Sequence, residues 1–136
     1  MSRIVLLLGV ACLFGGAAHA EMVPFSATLA GGSEAKTMGK GTAKASLDTA
    51  TKTLTYDVEY AGLSGPASAA HMHGPAEPGA SAGVVFPFPT PASPIKGTAT
   101  LTDAQMADLM AGKWYANVHT AANPGGEIRG QMTRGK

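Results

Sequence analysis

The chain of 136 residues is poor in charged side chains and has a single cysteine. Charged residues make up only 14% of it, and its ten Lys and Arg form no basic cluster. A nucleic-acid-binding protein needs a basic patch or stripe to meet phosphates, so the composition excludes that class. Because 45% of the residues are apolar, the sequence predicts one globular domain instead of a disordered chain.

No apolar run is long enough to cross a bilayer, but the first twenty residues predict an export signal. Arg3 supplies a positive start, and an apolar run follows over residues 4–14. Ala18 and Ala20 are small residues at the two positions that a signal peptidase recognises before its cleavage site. A membrane-spanning helix takes about 20 apolar residues, and this run is shorter. We therefore expect cleavage after Ala20 and export to the periplasm or the medium, with one domain over residues 21–136 and no membrane span after cleavage.

The expected mature chain has no thiol. Cleavage removes Arg3, Cys12 and His19, which leaves equal numbers of basic and acidic side chains and three histidines. Without cysteine there is no disulfide, no thiol nucleophile and no thiolate metal site, so stability must come from the core. The alternative to cleavage after Ala20 is a lipid anchor at Cys12, but the residues before Cys12 lack the leucine that such sites usually carry.

Alternation of apolar and polar side chains predicts a mostly antiparallel sheet. The pattern is clearest over residues 53–60, where Leu54, Tyr56, Val58 and Tyr60 share one face. Weaker alternation predicts seven further strands, at 25–30, 41–47, 67–73, 84–88, 95–101, 113–119 and 127–132. About eight strands separated by Gly, Pro, Ser or Asn are typical of an all-β sandwich or barrel.

One short helix is predicted over residues 102–111. Thr102 can cap it, Gln105 completes a capping box, and Gly112 ends it. Its two methionines share a face with Leu109, so we interpret them as core residues and not as metal ligands.

The proline-rich segment 87–94 cannot pair as a central strand, because each proline lacks a backbone donor. We expect an edge strand there that runs into an ordered loop. No internal repeat and no second domain are apparent in the sequence.

All three histidines of the mature chain lie in two predicted strands. His71 and His73 are two residues apart and share a face, and His119 lies with Tyr115 and Asn117 on the outer face of another strand. Imidazoles without thiolates or a carboxylate cluster favour copper or, less strongly, zinc. The alternative is that these imidazoles brace loops by hydrogen bonding to backbone carbonyls.

A Gly-rich turn after His119 leads into a strand with Glu127, Arg129 and Gln131 on one face. These side chains form either a solvated strand face, whose ion pair would contribute about 0–1 kcal/mol, or the surroundings of the histidine site. In the second case Glu127 and Arg129 orient a histidine or attract an anion.

No motif of a known catalytic type is present. The sequence has no nucleophile elbow, no phosphate loop and no His-Glu-x-x-His, and its carboxylates are scattered. We do not expect a hydrolase or a transferase. An open position on a three-histidine copper ion would support redox chemistry, so the sequence leaves the question of enzymatic activity open.

Several motifs in a fixed order resemble the CHRD domain, the module named after the extracellular protein chordin. The resemblance covers roughly residues 24–134 and is carried by residues 71–76, 83–87, 101–113, 115–120 and 123–131. It implies an immunoglobulin-like sandwich, distantly similar to copper/zinc superoxide dismutase, and an extracytoplasmic binding role.

The dismutase similarity also implies a site. In those enzymes a His-x-His on one strand and a late histidine bind copper, and an arginine guides the anion. By position, the copper ligands would be His71, His73 and His119, and the arginine would be Arg129. The chain lacks the bridging histidine, the zinc ligands and the disulfide, so full dismutase activity is not expected. We expect an exported protein that holds a copper-type ion; the alternative is a metal-free domain that meets an extracytoplasmic protein or glycan, and residual redox activity comes third.

Overall fold

The computed structural model describes residues 20–32 and 35–136. Within them the chain forms nine antiparallel strands, in which apolar and polar side chains alternate, and one helix. The strands are β1 (Met22–Ala30), β2 (Lys40–Asp48), β3 (Thr53–Ala61), β4 (Ala67–His73), β5 (Val84–Pro87), β6 (Ile95–Thr100), β7 (Tyr115–Thr120), β8 (Ile128–Gln131) and β9 (Thr133–Arg134). The helix is α1 (Asp103–Met110). The expected export signal lies outside the described residues, apart from Ala20.

The strands form one hydrogen-bonded sheet in the order β5-β4-β7-β8-β1-β2-β3-β6, with β9 paired to β1. Tyr56 on β3 lies 5.6 Å, centroid to centroid, from Phe86 on β5, although these strands are far apart in that order. The sheet therefore curls until its two halves face each other across a shared core. The prediction of an all-β antiparallel sandwich with one short helix is confirmed.

The core is built by every second residue of the strands. On β3, Leu54, Tyr56 and Val58 are buried, while Thr55 and Glu59 between and beyond them are exposed. Burying each large apolar side chain contributes about 1.5–3 kcal/mol. The same core includes Val23, Phe25, Leu29, Leu47, Met72, Ile95, Trp114, Val118, Ile128 and Met132.

The helix forms as its capping box predicts. Thr102 Oγ1 accepts from Gln105 N–H at 3.1 Å, and Gln105 Oε1 accepts from Thr102 N–H at 2.9 Å. Gly112, with φ +73°, follows the last turn. Leu109 is fully buried and both methionines of the helix pack against the core, which confirms their interpretation as core residues.

The prediction of an edge strand that runs into an ordered loop at the proline-rich segment is also confirmed. β5 lies at one edge of the sheet, and the loop after it is held by a buried Phe88. Tyr60 on β3 reaches this loop twice: its hydroxyl donates to the Pro91 carbonyl, and its N–H donates to Ser93 Oγ at 3.1 Å.

Two details of the last strands differ from the prediction. Glu127 precedes β8 and is 1% exposed, so the alternative of a solvated strand face is wrong for this residue. The two-residue β9 was not predicted. No helix among residues 20–32 and 35–136 is long and apolar enough to span a membrane.

Candidate metal centre

The histidines lie on the outer face of two adjacent strands, His71 and His73 on β4 and His119 on β7. Pairing between β4 and β7 sets His71 opposite Asn117 and His73 opposite Tyr115. The residues that alternate with them, such as Met72 and Val118, point into the core. Register therefore brings together side chains that sequence alternation could only assign to a face.

The three imidazoles converge. His71 Nδ1 and His119 Nε2 are 3.0 Å apart, and the ligand atoms of His71, His73 and His119 all lie within 4.8 Å of one another. Nitrogens bound at about 2.1 Å to a single ion are about 4.2 Å apart on opposite sides of it and about 3.4 Å apart at a tetrahedral angle, so a pair at the 4.8 Å limit would close by about 0.6–1.4 Å on binding. The imidazoles are therefore near the spacing of a metal site, and binding of an ion would draw them closer together.

Two backbone carbonyls fix the tautomers. His73 Nδ1–H donates to the Ala82 carbonyl at 2.9 Å, and His119 Nδ1–H donates to the Pro124 carbonyl at 2.8 Å. Since a carbonyl only accepts, each of these imidazoles keeps its proton on Nδ1 and its lone pair on Nε2. Metal-binding histidines are commonly oriented by the same kind of hydrogen bond.

The Nε2 atom of His73 is buried and receives no hydrogen bond from any residue that the structure describes. A buried polar atom without a partner costs about 1–3 kcal/mol. Burial, together with the nearby His119 and His73, lowers the pKa of His71 below 6.5. Burial thus favours the neutral form of His71, whose Nδ1–H donates to His119 Nε2 at 3.0 Å, while the lone pair of His73 Nε2 has no donor in the described chain.

Asn117, expected near the histidines, lies beside His119, with its amide Oδ1 3.0 Å from His119 Nε2. Turned the other way, the amide would donate an N–H to that nitrogen. Asn117 is 5% exposed, and Arg129 on β8 lies opposite it in the pairing of β7 with β8. It therefore lines the buried side of the cluster.

Glu127 forms a separate polar cluster. Its carboxylate accepts from Thr37 Oγ1 at 2.7 Å, Ser64 N–H at 2.9 Å, Thr120 Oγ1 at 2.8 Å and Asn123 Nδ2 at 3.1 Å, and also from the Ser64 hydroxyl. Burial alone would raise the pKa of Glu127, but these donors, those of Ser64 and Thr37 first, lower it to about 2. The carboxylate is therefore ionised and joins three loops.

Glu127 makes no hydrogen bond to a histidine within the described part of the chain. It holds Asn123, and the next residue, Pro124, supplies the carbonyl that orients His119. Its connection to the histidine cluster therefore runs through the loop. Sequence reasoning placed Glu127 near the site, but the burial and the four partner residues had no signal in the sequence.

Arg129 lies over an aromatic ring. Its Cζ atom is 3.6 Å from the centroid of the Tyr115 ring, and its Nη2 donates to the Ala80 carbonyl at 2.8 Å. Tyr115 in turn stacks parallel to His73, with centroids 4.9 Å apart. Sequence reasoning put Tyr115 on the correct face but did not identify it as part of the site.

A pocket of about 590 Å³ opens to solvent beside the cluster. His73, His119, Tyr115, Asn117 and Arg129 line it, together with small residues of the neighbouring loops. Its volume suits a small ligand. Solvent and small molecules therefore have a route to two of the three histidines.

Fold and cluster together define an antiparallel β-sandwich domain with three converging histidines on one outer face. A family model described as the CHRD domain matches residues 25–132, and the chain belongs to this family. All six expected site residues fall within the matched range. No curated protein and no solved structure matches the chain, so no neighbour supports the expected similarity to superoxide dismutase.

Proposed function

We propose that this CHRD domain is an exported binding protein that holds a copper ion through His71, His73 and His119. The proposal is carried by the convergence of the three imidazoles, whose ligand atoms lie within 4.8 Å of one another, around a buried His73 Nε2 without a partner in the described chain. Copper is preferred because nitrogen sites bind Cu²⁺ more tightly than Zn²⁺. Zinc is the second choice.

The surrounding residues have roles that follow from their contacts. Ala82 and Pro124 orient two ligands through their carbonyls, and Glu127 holds the loop that carries Pro124. Copper bound there would supply redox chemistry beside the pocket. Arg129 lies in the wall of that pocket, where its charge would attract an anion.

Copper titration of the mature domain tests the proposal. We expect one Cu²⁺ per chain in the wild type and loss of this binding in the His71→Ala/His73→Ala double variant. The matched control is Lys44→Ala/Ser46→Ala, which changes two residues at the same spacing on β2, away from the cluster. Unchanged copper binding in the histidine variant would reject the proposal, as would equal loss in the control.

A metal-free interaction domain is the second candidate, and the hydrogen bonds from His73 and His119 to loop carbonyls favour it. In that role the histidines brace the loops at residues 74–83 and 120–127, which would meet a protein or glycan. It predicts that His119→Ala lowers the melting temperature while copper and chelators leave the wild type unchanged. A copper-dependent rise in melting temperature would contradict it.

A further inference from the structure

Tyr115 occupies the centre of a three-layer stack on the outer face of the sheet. Its ring is parallel to the His73 imidazole, with an interplanar angle of 1° and a centroid separation of 4.9 Å. The Arg129 guanidinium lies 3.6 Å from the same ring. Because β4 and β8 flank β7 on opposite sides, His73 and Arg129 approach the phenol from opposite sides.

All three layers are fastened to one short stretch of loop. The Tyr115 hydroxyl accepts from Ala82 N–H at 3.1 Å and donates to the Ala82 carbonyl at 3.2 Å. The same carbonyl accepts from His73 Nδ1–H, and Arg129 donates to the Ala80 carbonyl. Tyr115 thus contacts His73 directly through its ring and indirectly through the carbonyl that fixes the His73 proton.

Burial gives this arrangement its rigidity. Tyr115 is 3% exposed although it lies on the outer face, because the loop at residues 80–82 and the Arg129 guanidinium cover it. A stacked aromatic pair contributes about 0.5–1.5 kcal/mol, and a guanidinium over a ring adds about 0.5–2 kcal/mol. These energies are enough to hold the imidazole plane of His73 in one orientation, while its Nδ1 hydrogen bond to the Ala82 carbonyl sets the tautomer.

We propose that Tyr115 is a positioning residue for His73. Its ring fixes the plane of the imidazole, and its hydroxyl holds Ala82 where the carbonyl keeps the imidazole proton on Nδ1. The lone pair of His73 then stays on Nε2, the nitrogen left free to bind an ion together with His71 and His119. The use of that lone pair for copper rests on the proposed function, whereas the fixed tautomer is a property of the metal-free protein.

Two substitutions separate the parts of this role. Tyr115→Phe keeps the ring and removes the hydroxyl, and Tyr115→Leu removes both. The control is Tyr60→Phe, because the Tyr60 hydroxyl also donates to a backbone carbonyl, that of Pro91, on a different loop. Loss of either hydroxyl lowers stability, but only loss of the Tyr115 hydroxyl is expected to affect His73.

The first measurement is made on the metal-free protein. Nitrogen-15 NMR of the imidazoles distinguishes the two tautomers of His73. We expect the wild type and Tyr60→Phe to hold the proton on Nδ1, and Tyr115→Phe to show a mixture with the Nε2–H form. Tyr115→Leu should show a larger share of that form.

The second measurement is made with Cu²⁺ added. We expect copper to bind roughly 10–100-fold more weakly in Tyr115→Leu, with a smaller loss in Tyr115→Phe. Pulsed electron paramagnetic resonance should count three imidazole ligands in the wild type and in Tyr60→Phe, and fewer in Tyr115→Leu.

The two measurements keep the two proposals apart. A His73 tautomer that is unchanged in Tyr115→Phe and in Tyr115→Leu would overturn the role of Tyr115, whatever copper does. If the wild type binds no copper while the tautomer shifts in Tyr115→Phe, the positioning role stands and the copper proposal fails. Should Tyr115→Leu not fold, the tautomer in Tyr115→Phe decides the question.

Discussion

The Glu127 cluster and the histidine cluster are two polar groups in neighbouring loops and strands that differ in one respect. The Glu127 carboxylate accepts five hydrogen bonds from Thr37, Ser64, Thr120 and Asn123. The histidine cluster instead brings three imidazoles together, and one of their nitrogens, Nε2 of His73, has no hydrogen-bond partner in the described chain.

This difference is the reason for assigning a structural role to the Glu127 cluster and for proposing a binding role for the histidine cluster. A saturated carboxylate has no capacity left for a ligand, so its effect is to hold together the loops that surround it. An unpartnered nitrogen carries a cost that a ligand would remove. The pKa directions agree with this division, since donors stabilise the charged form of Glu127 while burial favours the neutral form of His71.

Removal of the Glu127 carboxylate should give the largest change in stability. Glu127→Ala leaves buried donors of Thr37, Ser64 and Thr120 without an acceptor, and we expect unfolding to become easier by on the order of 3–5 kcal/mol. Urea denaturation measures this difference. The control is Glu59→Ala, since the Glu59 side chain is exposed on β3, and we expect a change within about 0.5 kcal/mol.

Equal effects of Glu127→Ala and Glu59→Ala would break the comparison, because the Glu127 cluster would then not be the structural one. The variant also tests the connection between the clusters. If the loop that carries Pro124 loosens, His119 loses the acceptor for its Nδ1–H, and copper should bind more weakly even in the folded fraction.

Copper should give the next largest effect, acting on the histidine cluster alone. A ligand present at one hundred times its dissociation constant stabilises the folded state by about 2.7 kcal/mol. For a domain of this size that raises the melting temperature by on the order of 10 °C. The His71→Ala/His73→Ala variant should show no such rise, and a rise that persists there would place the copper elsewhere.

The sequence predicted much of the fold because its information is local. Alternation over residues 53–60 and the capping box at Thr102 depend on neighbours within a few positions, and the structure has a strand and a helix there. β9 escaped prediction because two residues are too few to show alternation.

The site was only partly predictable because its contacts depend on register and on loop packing. Spacing placed His71 and His73 on one face, but the position of Tyr115 beside His73 follows from the pairing of β4 with β7. The hydrogen-bond partners of Glu127 come from segments up to 90 residues away from it along the chain. No local pattern encodes contacts between such distant segments, so the sequence predicted only that Glu127 lies near the histidines.

The smallest expected effect is a pH dependence that belongs to Glu127. Its pKa is about 2 in the folded protein against 4.5 as the ordinary value, so its contribution is fully present above about pH 4.5 and is lost as pH falls toward 2. In Glu127→Gln this dependence is absent. We therefore expect the difference in unfolding free energy between wild type and Glu127→Gln to be constant above about pH 5 and to shrink below it.

Urea denaturation of both proteins between about pH 3 and pH 7 measures that difference, and the comparison removes the contribution of the histidines. The lowered pKa of His71 makes stability fall as pH drops below 6.5, but it does so in wild type and variant alike. A difference that does not change with pH would mean that the Glu127 carboxyl is not held in its charged form by its donors. It would then remove the distinction between a saturated carboxylate and the open histidine cluster on which the assignment of structural and binding roles depends.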